Sequence, residues 1–143
     1  MLTVTDEVKT FIKSMVYSSV VERGFLLGCR ESIHVIDTVS IAPLKEADAD
    51  YLIIDADLTN TIIRKWAEED ILFCGFLHSH IGGCSEFSAE DKRFADMLVS
   101  SFELPFIWFG LAVSNGGKWY MRLKKIFKRV EDYDSTKDFL IMI

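Results

Sequence analysis

His78, Ser79 and His80 stand at the end of an apolar run. After seven intervening residues come Ser88 and then Asp91, in the stretch HSHIGGCSEFSAED. Two imidazoles one residue apart, followed by a hydroxyl and a carboxylate, include the donor types that bind zinc. On a strand, residues i and i+2 project from one face, so His78 and His80 are expected to point together. Imidazole nitrogens at about 2.0–2.1 Å from one ion suit that spacing. An isolated pair of this kind is as readily two unrelated histidines at a strand edge, one of them capping a loop.

Asp91 shifts that balance. Ser88-Ala89-Glu90-Asp91 also resembles a helix-capping box, with Ser88 as N-cap and an acid three residues on. Yet Asp91 lies one turn before Phe94 and Ala95 and two before Leu98, which places it on the buried stripe of its helix. Glu90, on the solvent side, is then the residue free to cap. A buried carboxylate is costly unless it is paired or bound to a cation. A cation held by His78 and His80 would supply the partner.

Three protein ligands leave a fourth tetrahedral position for water, which separates a catalytic zinc from a structural one. Zinc lowers the pKa of such a water to about 7. The chemistry then needs a carboxylate that is not a ligand, to carry the proton, and a donor for the oxyanion. The Ser88 hydroxyl suits the second role and can be a plain N-cap as well.

The elements that must position these residues are read from periodicity. Residues 5–18 place Val8, Phe11, Ile12, Met15 and Val16 at helical spacing. Gly24 to Cys29 reads as a short buried strand, and Ser32 to Ile41 as its hairpin partner. Residues 42–51 are polar and acidic and read as a loop. Leu58 to Glu69 predicts a second helix. Ile71 to Leu77 predicts a central strand covered on both faces. Ser88 to Ser100 predicts a third helix, with Phe94, Ala95, Leu98 and Val99 on its apolar stripe. Asn115-Gly116-Gly117 between Pro105–Val113 and Lys118–Lys125 is a hairpin signal. The apolar tail Phe139 to Ile143 is expected to dock on the domain or on a partner. The sum is an α/β (α+β) fold, a mixed, mostly antiparallel sheet packed with about three helices.

Bulk properties narrow the function classes. At 143 residues, half of them apolar, the chain has the size of one domain spanning 1–143 with its own core. No stretch is long and apolar enough for a transmembrane helix. Asp6 and Glu7 stand where a signal peptide needs a basic start, which predicts a cytoplasmic protein. The net charge of −6 disfavours a non-specific nucleic-acid binder. The one basic cluster, Arg122 to Arg129, alternates with apolar residues and reads as a solvated strand face rather than a binding patch. Cys29, Cys74 and Cys84 show no CxxC spacing, against both a disulfide framework and a zinc finger. Cys29 and Cys74 read as small buried hydrophobes.

The run HSH-x7-S-x2-D resembles the signature of the JAMM metalloproteases, the catalytic MPN type, and covers His78, Ser79, His80, Ser88 and Asp91 without a gap. Glu22, in VVERGFLLGCR, sits where that family carries a glutamate ahead of a Gly-containing apolar strand, although Arg23-Gly24 shifts one glycine. Taken alone, Glu22 reads as a solvated residue at a strand start. The resemblance implies a JAMM/MPN-like, cytidine-deaminase-like fold with one Zn²⁺ held by His78, His80 and Asp91. It makes Glu22 the general acid/base and Ser88 the oxyanion donor. It further implies cleavage after the C-terminal tail of ubiquitin or a ubiquitin-like protein, as deconjugation or precursor processing. The partners would be that modifier or its conjugate, beside activating and conjugating enzymes of a prokaryotic defence or sulfur-carrier system. Two departures stand out. Ile81 replaces the proline common after the second histidine, and Cys84 lies in the following loop, where a fourth ligand would displace catalytic water. A non-catalytic MPN scaffold, or a hydrolase of another amide, are the alternative readings.

Overall fold

Thr5 starts the first helix. Its Oγ1 accepts from the Val8 amide at 3.4 Å, and Asp6 and Glu7 sit where the helix dipole favours acids. The computed structural model describes residues 1–17, 19–48, 51–80, 87–127 and 137–143. The elements run β1 (Thr3–Val4), α1 (Asp6–Val16), β2 (Gly24–Cys29), β3 (Val35–Ile36), β4 (Thr38–Ile41), β5 (Leu44–Ala47), β6 (Leu52–Ile54) and α2 (Ala56–Glu68). They continue through β7 (Leu72–Ser79), α3 (Ala89–Ser101), β8 (Phe106–Asn115), β9 (Lys118–Phe127) and β10 (Asp138–Met142). Six strands form one sheet in the order β10-β9-β8-β7-β2-β4, antiparallel at every pairing except β7 with β8. The expected class is therefore present: a mixed, mostly antiparallel sheet with three helices among the described residues. None of these helices is long and apolar enough to cross a membrane.

Each face of the sheet has its own apolar layer. Val8, Ile12 and Val16 of α1 pack on Phe25, Leu27, Leu77, Trp108 and Leu123. On the opposite face, Trp66 of α2 and Ala95 and Val99 of α3 cover Leu26, Phe73, Phe76, Ile107 and Phe109. Cys29 and Cys74 are buried free thiols in the α1 layer, as their apolar surroundings predict.

A bulge in β7 decides which layer the histidines face. Gly28 pairs with Phe73 and Leu27 with Gly75, so Cys74 is an extra residue on β7. Phe73 and Phe76 consequently both face α2 and α3, while Cys74 and Leu77 both face α1. Simple alternation from Phe73 would have turned His78 toward α1; the bulge turns it toward α3. Gly75 allows the close strand approach at this point, since a Cβ there would collide with the Trp108 carbonyl oxygen.

Several expectations are corrected. The region 42–51 holds a strand: β5 pairs with β6 in a separate two-stranded ribbon, tied by Tyr51 Oη to Glu46 at 2.6 Å. Its polar residues mask it because the ribbon stands apart from the main sheet and leaves Lys45 and Glu46 exposed. Ser32 to Ile41 is divided: β3 pairs parallel with β1, and only β4 pairs with β2. The first helix ends at Val16, and Ser18 lies outside the described residues. The basic cluster is not a solvated face. Lys124 is 2% exposed, with Nζ 3.3 Å from Asp138 Oδ1, and Arg122 Nε bonds Asp138 Oδ2 at 2.6 Å. These pairs help seat β10 on β9, while Phe139, Ile141 and Ile143 of the tail pack into the α1 layer. Lys128 and Arg129 lie outside the described residues. At the 115–117 hairpin, Gly116 and Gly117 take φ of 62° and 81°, the left-handed conformations of a type I′ turn.

Candidate metal centre

His78 is the penultimate residue of β7, and His80 follows the strand's end. With the bulge setting the phase, both imidazoles meet the first turn of α3. Ser88 opens that helix in an extended conformation, and its Oγ accepts from the Asp91 amide at 3.1 Å. Asp91 Oδ2 in return accepts from the Ser88 amide at 2.8 Å. The capping acid is thus Asp91, not Glu90, which is exposed and pairs with Arg93 at 3.1 Å. Capping and burial are not alternatives for Asp91. One oxygen closes the cap, and the carboxylate is still directed into the cluster.

Asp91 Oδ1 lies 2.8 Å from His78 Nε2, Asp91 Oδ2 lies 3.3 Å from His80 Nε2, and the two Nε2 atoms are 3.2 Å apart. Ligand atoms about 2.0–2.1 Å from a tetrahedral zinc stand roughly 3.2–3.4 Å from one another. The separation of the two imidazole nitrogens matches that spacing, and each has an Asp91 oxygen close by, Oδ1 for His78 and Oδ2 for His80, so the donor types and their convergence fit a divalent cation. These three residues can hold a metal ion. Burial alone would raise the Asp91 carboxyl. Hydrogen bonds from His78 and His80, the charge of His78 and the Ser88 amide outweigh it and hold the carboxyl well below the usual range.

The His78 ring is held by packing. Phe76 stacks on it at 6.1 Å between centroids, and Phe109 tilts against it at 5.8 Å. Its Nδ1 is buried without a hydrogen-bond partner among the described residues. Among the described residues, aromatic walls stand where an outer acceptor commonly orients a ligand imidazole.

Glu22 is buried, at 7% exposure, which corrects the solvated reading of this residue taken alone. It lines the same cleft as His78, His80, Ser88 and Asp91. Its backbone is fixed on two sides. The Glu22 amide donates to Asp48 O at 2.7 Å. The next residue is clipped to β7 by Arg23 N to Ser79 Oγ at 2.9 Å and Ser79 N to Arg23 O at 2.8 Å. Ser79 therefore ties the glutamate segment to the histidine strand, a role that spacing did not reveal. The available signal was a hydroxyl in an apolar strand, facing away from both histidines. Ile81 and Cys84 lie outside the described residues.

The cleft has a volume of about 1130 Å³ and runs between β6 and α2 on one side and α3 on the other. All five sequence-derived site residues border it.

No family model matches this chain, and no curated protein matches it. Among solved structures it is similar to a protein of Desulfitobacterium hafniense, determined in solution as a structural genomics target. The two are 19% identical with a TM-score of 0.73, over 97% of this chain and 90% of that one. At that identity the likeness is one of fold.

Proposed function

We propose that this protein is a zinc-dependent peptidase of the JAMM type, cleaving after the C-terminal tail of a ubiquitin-like protein. The observation that carries the reading is the convergence of two imidazole nitrogens and one carboxylate in a cleft that a separate buried glutamate, Glu22, also lines. Zinc bound there would polarise the scissile carbonyl and activate a water.

The chain's own groups supply the rest. His78, His80 and Asp91 would hold the ion, with the bulged strand setting His78 and the helix cap setting Asp91. Glu22, which is not one of the three ligands and lines the same cleft, would take the water proton and pass it to the leaving amine. Ser88 Oγ uses a lone pair on the Asp91 amide, which leaves its O–H to donate to the developing oxyanion. The identity of the substrate as a modifier tail, with activating and conjugating enzymes as further partners, follows from the motif's resemblance.

The test is to incubate the purified, zinc-loaded protein with a ubiquitin-like fusion, with and without chelator. Cleavage abolished by chelation and restored by zinc supports the reading. Cleavage that persists in chelator sinks it.

A further inference from the structure

Phe87 directly precedes Ser88, the N-cap of α3, the helix that carries the ligand Asp91. At that position an apolar side chain commonly packs on the fourth helical residue and fixes the angle at which the chain enters the helix. In α3 the fourth helical residue is Lys92, so that apolar partner is missing. Phe87 turns to the sheet instead. Its ring tilts against Phe109 of β8 at 5.8 Å between centroids, and Phe109 in turn tilts against the His78 ring at 5.8 Å.

Cations of β9 also meet the ring. Arg122 Cζ stands 5.2 Å from its centroid and Lys124 Nζ 5.9 Å. Lys124 pairs directly with Phe109 across β8 and β9, so both face the same side of the sheet. Asp138 of β10 fixes the two cations, accepting from Arg122 Nε at 2.6 Å and standing 3.3 Å from Lys124 Nζ. Lys124 is buried, and a cation withdrawn from water is held more strongly by an aromatic face than an exposed one.

The metal centre needs α3 to start at one place relative to β7. The capping box ties Asp91 to Ser88, within the helix and not to the sheet. The fully buried contacts of α3, Ala95 and Val99, lie one and two turns beyond Asp91. We infer that Phe87, held by Arg122 and Lys124, is a positioning residue for the metal centre: it seats the first turn of α3 on the sheet so that Asp91 meets His78 and His80. The inference rests on the metal-binding part of the peptidase reading and adds to it a dependence of the site on β9 and β10.

The experiment separates seating from folding and from substrate contact. Zinc affinity is measured by chelator competition for wild type, Phe87→Leu, Phe87→Tyr, Arg122→Gln and the Phe87→Leu/Arg122→Gln double variant, with stability checked by chemical denaturation. Phe87→Leu keeps an apolar side chain and removes the aromatic face. It should weaken zinc about 2- to 30-fold, whereas Phe87→Tyr, which keeps the face, should bind like wild type. The double variant should lose less than the product of the two single losses, because both remove one shared contact. If Arg122→Gln folds poorly, the comparison of Phe87→Leu with Phe87→Tyr still decides. In the metal-free protein the Asp91 amide should exchange with solvent faster in Phe87→Leu than in wild type, while the amides of β8 exchange equally.

Equal zinc affinity in wild type and Phe87→Leu overturns the inference, as do losses that multiply in the double variant. A raised KM with zinc affinity unchanged also overturns it and makes Phe87 a substrate contact on the cleft wall. If a ubiquitin-like fusion is cleaved while Phe87→Leu binds zinc like wild type, the seating falls and the peptidase reading stands. If Phe87→Leu weakens zinc but wild type cleaves no fusion, the seating stands and the peptidase reading falls. If wild type takes up no zinc, the peptidase reading falls and the Asp91 amide decides the seating: faster exchange in Phe87→Leu upholds it, and equal exchange overturns it.

Discussion

Asp91 joins two structures at once: its Oδ1 lies 2.8 Å from His78 Nε2, and its Oδ2 accepts the Ser88 amide at 2.8 Å. The helix cap therefore aims the carboxylate, and the carboxylate gathers the histidines. Asp91→Asn keeps an acceptor for the Ser88 amide but removes the charge. Zinc affinity should fall by more than about 100-fold, since losing even an outer-shell partner of a ligand costs 10–100-fold. Competition with a chromophoric chelator measures this, and unchanged affinity would place the metal elsewhere.

Ser88 has two roles that substitution can separate. Ser88→Ala removes the cap and should cost about 1 kcal/mol of stability, whereas Ser88→Gly should cost only a few tenths. Both remove the hydroxyl. If it donates to the oxyanion, both should lower kcat by about 10²–10³. Equal kcat in wild type and Ser88→Gly would leave Ser88 as a cap alone.

The site was legible in part. His78, His80 and Asp91 could be read because ligand types at strand and helix spacings carry their geometry with them. The phase of β7 could not. In the continuously apolar run ILFCGFL nothing marks Cys74 as the extra residue, because both faces of the strand are buried and both accept the same side chains. Lys124 was misread because its partner, Asp138, lies on a strand paired through long-range register, invisible to local charge patterning. Strand β5 was missed because it lies outside the main sheet and alternates poorly. Glu22 is buried on a segment whose next residue, Arg23, bonds Ser79 56 residues away, a pairing no local pattern encodes.

Ser79 offers a test of that link. Its hydroxyl accepts the Arg23 amide, and the residue is fully buried. Ser79→Ala leaves a donor unsatisfied and should cost about 1–3 kcal/mol in chemical denaturation. Because the metal ligands are untouched, zinc stoichiometry should be retained while kcat falls through displacement of Glu22. Loss of zinc without loss of stability would contradict this division of roles.

The metal-free protein should respond to acid through Asp91. Its carboxyl is held below the ordinary range, so the ionised form is favoured in the folded state. A depressed folded value stabilises the fold above the unfolded value of about 3.9, and that contribution is lost as pH falls through the folded value. Thermal melts of metal-free wild type should therefore decline from about pH 5 downward, and Asp91→Asn should show a shallower decline. Parallel declines would remove Asp91 from the pH dependence.

The central claim is that Glu22, a non-ligand carboxylate in the same cleft as the metal triad, moves the proton. The most direct measurement is the single-turnover cleavage rate of a ubiquitin-like fusion by wild type and Glu22→Gln at matched zinc occupancy. The account predicts equal zinc binding and a rate lower by about 10²–10⁴ in the variant. Equal rates at equal occupancy would contradict it.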